Sequence, residues 1–165
     1  IAALLPVSER STNGSSREGE PSDRDKDTGD SMQRNEEIEE VGMEVARAYE
    51  KEQGWQVEDV SDKDHGGFDL RSLHFNEDGA QDGIRYIEVK ARAQSGKIRL
   101  TSNEWKKARK FGDQYWIYIV TEAASDSPQL NRIQNPAQQF EEGEDIRATG
   151  FEIQEDAWRQ IENAS

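Results

Sequence analysis

Arg85-Tyr86-Ile87-Glu88-Val89-Lys90-Ala91-Arg92 alternates. In a strand, Tyr86, Glu88, Lys90 and Arg92 fall on one face, and Ile87, Val89 and Ala91 on the other. The apolar face predicts burial. The polar face sets a carboxylate and an ammonium side by side. Upstream, Gly66-Gly67-Phe68-Asp69-Leu70 opens another strand carrying a single acid, and Asn76-Glu77-Asp78-Gly79-Ala80-Gln81-Asp82-Gly83 reads as the hairpin connection between the two. If Phe75 and Ile84 close that hairpin, Asp69 stands opposite Lys90 and diagonal to Glu88. All three then share a face, and a slip of one residue would send Asp69 to the other.

Two carboxylates held close together are the usual protein share of a Mg²⁺ site, with waters and a substrate phosphate completing the shell. Asp69 and Glu88 are therefore candidate ligands for Mg²⁺ or Mn²⁺. Lys90 beside them suits holding an attacking hydroxide or neutralising phosphate charge.

Charge sharpens this reading. The chain of 165 residues carries −14 overall, which by itself argues against nucleic acid. Its distribution argues otherwise. Residues 85–111 hold nine basic residues and two acids, a window of +7, so the remainder is −21. The window contains the Glu88-x-Lys90 motif, and Arg92, Lys97, Arg99, Lys106, Lys107 and Lys110 are its candidate nucleic-acid contacts. No apolar run approaches a membrane span. The absence of cysteine excludes disulfides and thiolate metal sites and suits the cytoplasm. The first residue is Ile1, not Met, which points to a piece of a longer polypeptide.

Along the chain, residues 8–33 have almost no large apolar side chains and read as a disordered linker, so residues 1–33 precede a domain at 34–165. A helix is expected from about Arg34 to Gln53, with Ile38, Val41, Val45, Ala48 and Tyr49 as its apolar stripe and Gly54 as its stop. Its many glutamates read as mostly solvated. Trp55–Val60, Phe68–Phe75 and Ile84–Arg92 read as three strands, and Gly96–Leu100 as a short fourth or an extension of the third. His65, in the turn before Phe68, reads as solvated. Thr101-Ser102-Asn103-Glu104 is a capping box, which accounts for Glu104 structurally and opens a helix from Asn103 to Phe111. Tyr115–Val120 is continuously apolar, as a strand buried on both faces should be. Gln129–Gln134 reads as a further strand, 140–149 as an acidic loop, Phe151–Ile153 as an edge strand, and Asp156–Ile161 as a last helix that packs Trp158 on the sheet.

The order helix, strand, strand, strand, helix, strand, with Asp69 and Glu88-x-Lys90 on the second and third strands, resembles the PD-(D/E)XK nucleases. Phe68 stands where that motif's proline would be. More specifically, Glu39-Glu40-Val41-Gly42-Met43, Glu58-Asp59-Val60-Ser61, Gly67-Phe68-Asp69-Leu70, Arg85-Tyr86-Ile87-Glu88-Val89-Lys90, Leu100-Thr101-Ser102-Asn103-Glu104-Trp105, Tyr115-Trp116-Ile117-Tyr118 and Ile133-Gln134-Asn135-Pro136 are similar to the family named after the C-terminal domain of the plant NO VEIN protein. The resemblance covers about residues 36–160. It implies an α/β (α+β) restriction-endonuclease-like core, a mixed sheet of four to six strands flanked by helices. It implies Asp69, Glu88 and the Val89 carbonyl as metal ligands, Lys90 as the group that positions water, and Glu39 as an auxiliary acid. The helical wheel alone leaves Glu37, Glu39 and Glu44 open. Thr101 and Asn103 would touch phosphate at a helix N-terminus.

The expected function is metal-dependent hydrolysis of DNA phosphodiesters within a larger DNA-processing or defence protein. The resemblance adds helicase-like neighbouring domains and allows a homodimer. The alternatives are a DNA- or partner-binding module of the same fold without cleavage, and a protein-interaction domain with no nucleic-acid role.

Overall fold

A computed structural model describes residues 23–62, 67–140 and 151–162. Of the residues read as a disordered linker, 8–22 lie outside the described residues, as do His65 and the acidic loop at 141–149, while 23–33 are helical.

The first helix, α1 (Asp23–Glu52), begins upstream of the expected Arg34. The strands β1 (Gln56–Asp59), β2 (Leu70–Phe75), β3 (Gln81–Ala91), β5 (Tyr115–Thr121) and β6 (Gln129–Gln134) form one sheet in the order β1-β2-β3-β5-β6. Among the described strands, only β3 and β5 are parallel neighbours. A parallel pair needs a crossover connection, and β4 (Ile98–Leu100) and α2 (Ser102–Phe111) supply it. β4 is not an extension of β3: it pairs with β7 (Phe151–Ile153) in a separate two-stranded ladder. A short 3-10 turn (Gly112–Gln114) follows α2, and the short α3 (Pro136–Gln139) and α4 (Glu155–Glu162) complete the described elements. The class is α+β, a mixed five-stranded sheet with helices on both faces.

Period-two alternation divides the core. Leu70, Ile87 and Tyr118 point to α1. Tyr115, Ile117, Ile119 and Ile133 point to the other side, where Trp105, Ala108 and Trp158 meet them. Trp158 is buried as expected.

Two expectations change. The stripe of α1 that meets the sheet runs through Gly42, Met43, Ala46 and Tyr49, while Ala48 is exposed. Small residues decide this. A Cβ on Gly42 would lie 2.6 Å from the Ala91 Cβ and 3.4 Å from the Val89 Cγ1. The helix sits on β3 at a distance that only glycine permits. Gly42→Ala should therefore destabilise the protein by about 1–2 kcal/mol, overpacking outweighing alanine's better helix propensity. Ala91→Gly should recover much of the loss, as urea midpoints of the two single variants and the double variant would show.

The hairpin register also differs. The pairs are Leu70 with Ile87 and Leu73 with Ile84, and an irregularity between His74 and Phe75 sets Phe75 against Gln81. The Asn76 side chain accepts from the Asp78 and Ala80 N–H groups, tightening the turn into fewer residues than expected. Continued by one residue, the β2–β3 register brings Asp69 level with Glu88 rather than Lys90. The displacement is two residues, an even number, so the face is kept.

Candidate active site

β3 delivers Glu88 and Lys90 to the α2 side of the sheet, and Asp69 arrives immediately before β2. The Asp69 N–H donates to the Ile87 carbonyl at 2.8 Å, and its Oδ2 accepts from the Val89 N–H at 2.8 Å. The backbone of β3 thus holds the carboxylate against the strand that carries Glu88. Lys90 Nζ lies 2.6 Å from Glu88 Oε1 and 3.0 Å from Glu104 Oε2. Asp69, Glu88 and Lys90 line a cleft of about 460 Å³ to which α1 contributes Glu36, Glu39, Glu40 and Met43. Arg47 bridges Glu40 and Asp59 at 2.7 Å each, fixing α1 to the end of β1 beside that cleft.

Three carboxylates gather around one ammonium, and the site is short of positive charge. Glu88 is 4% exposed. Burial pushes its carboxyl up to about 8, against the pull of Lys90 and with the help of Asp69 and Glu104. Burial also raises Asp69, although the Val89 N–H and Lys90 hold it back. Burial alone would lower Lys90, but Glu88 and Glu104 more than offset it, and its ammonium is held above the ordinary range. The Tyr115 hydroxyl donates to the Gly67 carbonyl at 2.7 Å and so braces the approach to Asp69.

Asp69 has Oδ1 left over from its backbone bond, and Glu88 has Oε2 left over from Lys90. Glu104 is turned onto Lys90 and the start of α2. Among the described residues, no three His, Cys, Asp or Glu side chains form a ready metal cage. A cation here would take two carboxylates and fill its shell from water, backbone and substrate, which is the habit of Mg²⁺. The donor chemistry fits.

The other expected residues scatter more. Glu39 is exposed and lines the cleft together with Glu36 and Glu40, while Glu37 and Glu44 are not among its lining residues. Arg92 lines a neighbouring hollow that meets the cleft at Ala91. Lys97 lies in a separate hollow against α4, and Arg99 is exposed on β4. The Thr101 hydroxyl accepts from the Glu104 N–H at 3.2 Å, so its oxygen already caps α2, while Asn103 is exposed in the first turn. Lys106 and Lys110 are exposed; Lys107 is half-buried, with its Nζ 5.8 Å from the centre of the Phe111 ring. Arg85 leaves the basic window altogether: it sits on the α1 face, 2.7 Å from Glu50.

Glu104 is the residue that the capping box concealed. Its Oε2 accepts from the Thr101 N–H at 2.9 Å and also meets Lys90. The one available signal was positional, since α2 starts where the chain returns from β3 and a carboxylate has lone pairs beyond those a cap uses.

The family model described as "Protein NO VEIN, C-terminal" matches residues 38–133, from α1 through most of β6. No curated protein and no solved structure gives a match. The matched span exceeds half the chain and contains Glu39, Asp69, Glu88, Lys90 and Glu104, so the chain belongs to the NO VEIN C-terminal family.

Proposed function

We propose that this domain is a divalent-metal-dependent nuclease of PD-(D/E)XK type, hydrolysing DNA phosphodiester bonds within a larger DNA-processing or defence protein alongside helicase-like domains. The observation that carries the reading is the Asp69–Glu88–Lys90 constellation on adjoining strands, opening on a cleft and deficient in positive charge. Asp69 and Glu88 would hold Mg²⁺ or Mn²⁺, with the Val89 carbonyl as a further candidate ligand. When bound, the cation would polarise the phosphate and lower the pKa of a coordinated water. Lys90 would neutralise charge developing on the phosphoryl oxygens. Glu39 faces the same cleft from α1 and would take part as an auxiliary acid. Arg92, Lys106, Lys107 and Lys110 would bind flanking phosphates.

A second reading is a binding module that holds DNA without cutting it. Two features favour it: Lys90 is paired twice, and α1 lines the cleft with three glutamates. The two readings separate on cleavage of labelled single- and double-stranded DNA with Mg²⁺ or Mn²⁺. A nuclease should cut, stop with chelator, and lose activity on the order of 10³-fold in Lys90→Ala. Salt-sensitive binding that survives chelator, without cutting, would establish the module instead.

A further inference from the structure

An ammonium has three N–H donors. In Lys90 two of them are taken, by Glu88 Oε1 at 2.6 Å and Glu104 Oε2 at 3.0 Å, and the side chain still lines the cleft. The two partners differ in their other commitments. Glu88 shares the cleft with Asp69 and is a candidate metal ligand. Glu104 comes from α2 and is locked by the reciprocal capping box: its backbone N–H donates to Thr101 Oγ1, and its Oε2 takes the Thr101 N–H. Glu104 is therefore the fixed partner and Glu88 the one that metal binding would draw away.

We propose that Glu104 is a positioning residue for Lys90, holding its ammonium on the cleft when Glu88 is given over to a metal ion. The proposal rests on the nuclease reading above. It turns an ordinary helix cap into part of the site's support. One carboxylate oxygen closes the first turn of α2 and also anchors the lysine of β3, so the residue that starts the crossover helix also aims the group that would meet the scissile phosphate.

Glu104→Gln in the full 165-residue chain tests it. Glutamine also serves in a capping box, so the helix start is kept while the negative charge that faces Lys90 is lost. The expected result is a fall in kcat of about 10- to 100-fold with KM and Tm little changed. In a Lys90→Ala background the same change should have no further effect. A loss of equal size in both backgrounds, or a lowered Tm with kcat intact, would overturn the proposal and leave Glu104 as a cap alone.

A second measurement does not depend on cleavage. Acylation of Lys90 by an amine-specific ester, read by mass spectrometry, should stay low in the wild type with or without Mg²⁺. In Glu104→Gln it should rise several-fold when Mg²⁺ is added. No rise in the variant overturns the proposal even where the wild type cuts DNA. The expected labelling pattern in a protein that does not cut DNA would overturn the nuclease reading and sustain the Glu104–Lys90 anchor.

Discussion

Glu88→Gln is expected to bring metal-dependent DNA cleavage to background, a loss on the order of 10³-fold or more, while making the metal-free protein more stable at alkaline pH. Both effects follow from one buried carboxylate. The folded protein raises the Glu88 carboxyl from about 4.5 to about 8, chiefly through burial. A folded-state pKa above the unfolded value means that the folded protein holds this proton more tightly. The associated stability is present below about pH 4.5 and is lost as the pH rises through about 8. Glutamine does not titrate and escapes that loss. The stability curves of wild type and variant should run parallel in acid and diverge towards pH 8. The gap should be roughly a few kcal/mol, since each tenfold change in proton affinity is worth about 1.4 kcal/mol. Mg²⁺ should then raise the Tm of the wild type at pH 8 and do little for Glu88→Gln, because a ligand stabilises the state that binds it. Urea unfolding across pH, with and without Mg²⁺, checks both parts. A variant that still cuts DNA would remove Glu88 from the site.

Glu50→Ala should be the most damaging single change to the fold. Glu50 is fully buried near the end of α1, where Oε1 accepts from Arg85 Nη1 at 2.7 Å and from the Tyr118 hydroxyl. Arg85 in turn lies over the rings of Trp55, at 3.9 Å, and Trp116, at 4.9 Å. Removing the carboxylate strands a guanidinium between two indoles in low dielectric. The cost of breaking such a pair is about 3–5 kcal/mol, or roughly 10 °C in Tm for a domain of this size. Glu50→Gln keeps an acceptor and should cost less. Replacing both partners by methionine should recover most of the loss, because what is penalised is the unpaired charge rather than the missing attraction. Thermal melts of these variants separate the two contributions. A double variant as unstable as Glu50→Ala would show that the pair itself carries the stability.

Which of these features could be read from the sequence follows from the range of the interactions behind them. The alternation of 85–92 settled which face Glu88 and Lys90 share, because a pleat has a fixed period. The unbroken apolar run at 115–120 marked the strand buried on both sides. The capping box marked the start of α2 to within a residue, since its signals lie within four consecutive residues. The hairpin register was not legible, because an irregularity at His74 and the Asn76 side-chain bonds shortened the loop. Nor was the buried face of α1: hydrophobic spacing favours Val41 and Val45, but a close approach to Ala91 rewards Gly42, and Ala46 packs with Leu70, Ile87 and Tyr118. Glu50 and Glu104 looked like ordinary solvated or capping acids because their partners, Arg85, Tyr118 and Lys90, are brought to them only by tertiary contacts.

The buried strand β5 has a further consequence, for solubility. Tyr115–Thr121 is seven residues of aromatic and β-branched side chains with no charge and no proline, and almost all of it is buried. A segment of that composition is a template for intermolecular cross-β stacking whenever its edges are free. Here β3 occupies one edge and β6 the other. The strand that joins the two halves of the sheet is therefore also the one that must be kept from self-association, and the net charge of −14 on the whole chain works to the same end by keeping copies apart.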